Sequence, residues 1–146
     1  MTVIISNVTA DDISEINLIE QTSFTDPWTA EGLHDALSDA LGIFLKATDE
    51  NGQLTGYIIG SCDGFSGYIE KAAVLPSARR SGTGTALLAA FRKRLPPEAE
   101  SISLEVRHSN KPAIKMYEKY GFEQIGIRKG FYSSPTEDAI VMVKNL

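Results

Sequence analysis

Residues 74–95 read VLPSARRSGTGTALLAAFRKRL, and no other stretch limits the available folds as strongly. Arg79, Arg80, Ser81, Gly82, Thr83 and Gly84 make a basic, glycine-bearing turn, and Leu87, Leu88, Phe91 and Leu95 follow at helical spacing. This predicts an amphipathic helix with one face on a core and with Arg92, Lys93 and Arg94 at its C-terminal end, where cations suit the helix dipole. Glycines at 82 and 84 let backbone N–H groups approach a ligand without intervening Cβ atoms, and a helix N-terminus adds partial positive charge. The turn is therefore suited to an anion, phosphate above all. Two familiar phosphate patterns do not fit. The chain has no Gly-Lys-Ser or Gly-Lys-Thr for a Walker-type loop, and the run from Gly82 to Leu87 lacks the third glycine of a dinucleotide fingerprint.

At 146 residues, 42% hydrophobic and 23% charged, the chain has the composition of one globular α/β domain able to bury a core. The net charge of −5 argues against general nucleic-acid binding, although a local basic patch at 79–80 can still hold a phosphate. The single cysteine, Cys62, rules out an internal disulfide and a cysteine-cluster metal site and is read as a strand residue, not a nucleophile. His34 and His108 lie apart with no third ligand in view, so no metal is expected. The N-terminal residues have no basic leader and no apolar run of membrane length, so a cytoplasmic location without membrane contact is expected.

Residues 3–8 read as a first strand, and Thr9-x-x-Asp12 resembles a capping box that starts a helix carrying Ile13, Ile16 and Ile19 or Glu20. Asp26-Pro27-Trp28-Thr29 breaks the chain. Thr29 can cap a second helix, with Trp28 as a staple on Leu33 or, alternatively, as a wall of a substrate groove. Asn51-Gly52 predicts a hairpin between strands at 43–48 and 53–61. A strand at 68–74 feeds the phosphate turn, and Pro96-Pro97 stops the helix behind it. In the strand at 101–106, Ile102, Leu104 and Val106 share one face and Glu105 the other. Asn110 or Ser109 caps a last helix that Gly121 ends. Strands at 122–127 and 139–143 close the chain around a loop at 128–138.

Arg79-x-x-Gly82-x-Gly84 behind an apolar strand resembles the pyrophosphate loop of the GNAT acyltransferases, whose phosphates belong to coenzyme A. Leu104-Glu105-Val106-Arg107 followed by Asn110, Ala113, Tyr117 and Tyr120-Gly121-Phe122 is similar to the bacterial ribosomal-protein-alanine N-acetyltransferases of the RimI type. Pro27-Trp28-Thr29 resembles their PWS segment, and the runs IRKGFY at 127–132 and EDAIVM at 137–142 resemble their IRRNYY and EDAIIM. Lys71 and Gly130 depart from this pattern, which carries asparagines there.

The resemblance spans nearly the whole chain. It implies the GNAT fold, a mixed, largely antiparallel sheet of about seven strands with about four helices, as a single domain over residues 1–146. It further implies that Arg79, Arg80, Gly82, Thr83 and Gly84 hold the pyrophosphate of acetyl-CoA, and that Asn110 also contacts this donor. Ala72 and Val74 would pair with its pantetheine arm like an added strand. Glu105 is implied as the general base, acting through water, and Tyr117 as the general acid for the departing thiolate. Trp28, Glu105, Phe131 and Tyr132 would shape the acceptor groove. Read from the residues alone, Glu105 and Arg107 are equally solvated strand residues, Tyr117, Phe131 and Tyr132 core or packing aromatics, and His108 a second candidate base.

The expected activity is direct acetyl transfer to a protein N-terminal α-amine, the alanine of a small-subunit ribosomal protein being the favoured acceptor. Two rivals stand: a GNAT enzyme acting on lysine or a small amine, and a non-catalytic acyl-CoA-binding module.

Overall fold

In the computed structural model, which describes residues 2–146, alternation along the strands separates two cores. The order is β1 (Ile4–Asn7), α1 (Ile13–Ser23), α2 (Ala30–Ser38), β2 (Gly42–Thr48), β3 (Leu54–Cys62), β4 (Ser66–Val74), α3 (Thr83–Lys93), β5 (Ser101–Arg107), α4 (Lys111–Tyr120), β6 (Glu123–Tyr132) and β7 (Glu137–Asn145). Single 3-10 turns at Ala10–Asp12 and Pro76–Ala78 precede α1 and α3. The strands form one seven-stranded sheet in the order β1-β2-β3-β4-β5-β7-β6. Every pairing is antiparallel except β4 with β5.

Ile43, Leu45 and Ala47 of β2, with Ile58 of β3, pack with Leu87, Leu88 and Phe91 of α3 and Tyr117 of α4. Their alternate neighbours Phe44, Tyr57 and Ile59 pack with Ile13 and Ile16 of α1 and Leu33 of α2. An 11-residue helix such as α3 is marginal alone, so its place is set by burial, about 1.5–3 kcal/mol for each of Leu87, Leu88 and Phe91.

The caps form as the sequence predicts. Thr9 and Asp12 make the capping box, which opens on a 3-10 turn before α1. Thr29 caps α2 through Gly32 N–H at 3.0 Å, Asn110 caps α4 through Ala113 N–H at 3.3 Å, and Gly121 ends α4 with a φ of 109°. The expected loop at 128–138 is a correction: β6 continues to Tyr132 and β7 begins at Glu137, leaving only 133–136 between them. A pairing irregularity between Arg128 and Tyr132, with Gly130 at a φ of 64° and its N–H donating to Asp138 Oδ1 at 2.9 Å, lets the ladder resume at Tyr132 opposite Glu137.

β4 contains the irregularity that shapes the site. Ile59 pairs with Lys71 and Gly60 with Ile69, so Glu70 is a bulge residue. Residues 69 and 71 of a regular strand share a face. Here Ile69 enters the α3–α4 core, whereas Lys71 reaches Glu20 of α1. The pairing of β4 with β5 ends at the same place, Ile69 opposite Leu104, and the two strands part beyond it.

Candidate active site

The parting of β4 and β5 leaves one edge of β4 free. Leu75 N–H and Ala73 C=O point toward β3, at Thr55 O and Gly56 respectively, so the alternate backbone groups of Ala72 and Val74 face the opening. Both residues stand where an extended ligand could pair as an added strand.

At the end of β4 the chain turns into α3. Gly82, the N-cap of α3, has a φ of 84°, a conformation that disfavours any side chain. The N–H groups of Thr83, Gly84 and Thr85 have no hydrogen-bond partner among the described residues. Arg79 and Arg80 are exposed and form no ion pair among those residues. Free donors, a helix N-terminus and two free guanidinium groups fit a pyrophosphate. The Thr83 side chain is not part of this surface: it is buried and its hydroxyl meets Ser81 Oγ at 2.8 Å, so only its backbone faces outward. Gly84 has a packing role, because a Cβ there would overlap the Met116 sulfur of α4.

Ile102, Leu104 and Val106 of β5 enter the α3–α4 core, which leaves Glu105 and Arg107 on the α1–α2 face. Neither is a solvated strand residue. The Glu105 side chain is 9% exposed, accepts a hydrogen bond from the Tyr68 hydroxyl and lies 3.6 Å from Arg128 Nε. Burial, then the Glu105 carboxylate, push the Tyr68 hydroxyl above the usual tyrosine range. The sequence reading missed Tyr68, whose partner lies 37 residues away on a parallel neighbour.

Arg107 spans the face. Its Nη1 donates to Pro135 O at 3.0 Å and Glu137 Oε1 at 3.1 Å, and its Nη2 donates to Ser133 O at 3.0 Å and Asp26 Oδ2 at 3.2 Å. The guanidinium also lies 4.5 Å from the Tyr132 ring centroid. One side chain thus ties the segment at 24–29 to the β6–β7 turn.

Tyr117 comes from α4 on the other side of the sheet. It is buried, with its ring edge-on to Phe122 at 5.5 Å. Its hydroxyl has no hydrogen-bond partner among the described residues, yet no polar side-chain atom of those residues that is sealed from solvent lacks one, so the hydroxyl opens to solvent. Burial pushes this hydroxyl above the usual tyrosine range and Tyr132 adds to the shift. Tyr132 itself is pushed up to about 12 by burial and then by Glu105, which places it in the field of both residues.

The remaining expected residues divide. Phe131 is exposed and stacks edge-on against Tyr132 at 5.0 Å. Trp28 is half-buried against the α1–α2 core with Leu33, the staple position. The Asn110 oxygen is taken up by its capping bond. No group of three or more histidine, cysteine or acidic residues able to hold a metal occurs among the described residues.

The sheet is opened at a bulged fourth strand with a donor-rich helix N-terminus at its mouth, and the sequence model of the Acetyltransferase (GNAT) family matches residues 12–122. The chain belongs to that family. It is similar to the [Ribosomal protein bS18]-alanine N-acetyltransferase of Haemophilus influenzae, 32% identical over 143 residues covering 95% of this chain and 96% of the relative. It is also similar to an N-alpha-acetyltransferase of Saccharolobus solfataricus, 34% identical over 155 residues covering 96% and 91% of the two chains. The crystal structure of the Escherichia coli ribosomal-protein-S18-alanine N-acetyltransferase superposes with a TM-score of 0.84 at 27% identity, over 99% of this chain and 94% of that one. No helix among the described residues is long and apolar enough to cross a membrane.

Proposed function

We propose that this protein transfers acetyl from acetyl-CoA to the free α-amine of another protein, and that the acceptor is the N-terminal alanine of a small-subunit ribosomal protein. One observation carries the reading: the carboxylate of Glu105 follows the last β4–β5 pair on one face of β5, and Tyr117, a phenol with no partner among the described residues, packs in the core on the other face. The similarity to bS18-alanine and N-alpha-acetyltransferases supports the choice of acceptor.

In this reading Arg79, Arg80 and the free N–H groups at the start of α3 hold the pyrophosphate, Asn110 adds a contact, and the open edge at Ala72 and Val74 orients the pantetheine arm. Glu105, through water, takes the proton that the attacking amine must lose. Tyr117, whose raised pKa keeps it protonated, donates to the departing sulfur. An α-amine is roughly a tenth neutral at pH 7 and a lysine below about 0.1%, so an N-terminal acceptor asks far less of a base. Tyr132, Phe131 and the segment around Trp28 flank the acceptor, which approaches on the α1–α2 face in the cytoplasm.

Thiol release from acetyl-CoA tests this with peptides beginning Ala-Arg, Ser or Met, with acetyl-blocked Ala, with an internal lysine and with small amines. Turnover on Ala-initiated peptides that vanishes on blocking is the expected result. Turnover confined to lysine or small amines, or acetyl-CoA binding without release on any acceptor, would overturn it.

A further inference from the structure

An ion network on the α1 side of β4 is unused by the transfer chemistry. The Glu20 carboxylate has 0% exposure and accepts hydrogen bonds from Lys71 Nζ at 2.8 Å, from Trp28 N–H at 2.9 Å and from the Tyr57 hydroxyl. Asn17 Nδ2 holds the same residue from the other side, donating to Trp28 O at 3.2 Å. Lys71, 15% exposed, also places its ammonium 3.9 Å from the centre of the Phe24 ring.

Phe24 and Trp28 lie at the two ends of the segment joining α1 to α2. Glu20 fixes the backbone at one end, and Lys71 fixes an aromatic ring at the other. Lys71 immediately precedes Ala72, whose backbone faces the β4–β5 opening. It points to α1 only because of the bulge at Glu70. The strand that flanks the donor site and the segment that flanks the acceptor site are thus joined by one side chain. Stability alone does not require this arrangement, since a buried ion pair is often no better than an apolar pair of the same volume.

We propose that Lys71 is a positioning residue for the acceptor: from β4 it holds Phe24, and with Glu20 it sets the segment at 24–29 against the groove. This rests on the reading of that segment as an acceptor wall, and the test separates the two. Trp28 is the only tryptophan in the chain, so acrylamide quenching of its fluorescence reports the segment with no substrate present. The proteins to compare are wild type, Lys71→Met, Lys71→Arg and the double variant Glu20→Gln/Lys71→Met.

Lys71→Met strands a buried carboxylate, and its Tm falls by roughly 10 °C. In the double variant the amide that replaces the carboxylate still accepts from Trp28 N–H with no buried charge left over, so Tm recovers to within about 3 °C of wild type. In both variants Trp28 is expected to be about twofold more quenchable and the peptide KM about tenfold higher, the size of a partly desolvated cation–π contact. The kcat and the acetyl-CoA Kd stay within about twofold, and Lys71→Arg, which keeps a cation over the ring, stays near wild type. Recovery of quenching and KM together with Tm in the double variant would overturn the proposal, because Lys71 would then only neutralise Glu20. Unchanged quenching in Lys71→Met would overturn it too. Absence of wild-type turnover on every peptide would defeat the functional reading instead, and Trp28 quenching would still decide the role of Lys71.

Discussion

Tyr117 combines a fully packed ring with a hydroxyl that bonds to nothing among the described residues. Removing that hydroxyl leaves the packing intact and no buried group unsatisfied, so Tyr117→Phe should change stability little. If the phenol donates to the leaving sulfur, kcat falls by about 100-fold or more while the acetyl-CoA Kd holds, as stopped-flow turnover and calorimetry would show. An equal loss of both would make Tyr117 a structural residue. The resemblance to the GNAT enzymes points to Tyr117 because it stands in one short string with Glu105 and Asn110. Nothing in the sequence points to Glu20 in this way. At the edge of an apolar helical stripe it reads as a boundary residue, and its burial depends on Tyr57 and Lys71, 37 and 51 residues away.

Among the elements, the turn into α3 has its conformation fixed by one glycine. Gly82 sits at a φ of 84° with open space where a Cβ would stand, so strain, not collision, is the cost of substitution. Gly82→Ala should lose about 1 kcal/mol in urea unfolding, and Gly82→Asn less, since asparagine visits the left-handed region more readily. The acetyl-CoA KM should rise in Gly82→Ala and the peptide KM should not, because the change is confined to the N-terminus of α3. The pattern of glycines foretold the turn, but it did not reveal that Gly84 also admits Met116, a contact between two helices. The bulge at Glu70 left no mark in the sequence either, since glutamate in a strand has no signature of a bulge.

Across the whole molecule, the α1–α2 face is held together by Arg107, which joins Asp26 to the β6–β7 turn, with Glu137 as a shared partner. A hydrogen bond from Ser109 and the Arg107 guanidinium hold the Glu137 carboxyl below the ordinary 4.5. A carboxyl depressed in the folded state contributes stability above its unfolded pKa and loses it as pH falls through the folded value. Tm should therefore drop as pH falls below 4.5, and that drop should be shallower in Glu137→Gln. Local sequence sufficed for the helices, their caps, the hairpin and the glycine-bearing turn into α3, because each depends on residues within a few positions of one another. It took the packed molecule to part β4 from β5 beyond Ile69 and Leu104, to bring Tyr68 to Glu105, and to turn Lys71 toward Glu20. Those features depend on a one-residue shift in strand register and on partners dozens of residues apart, which local preference cannot encode.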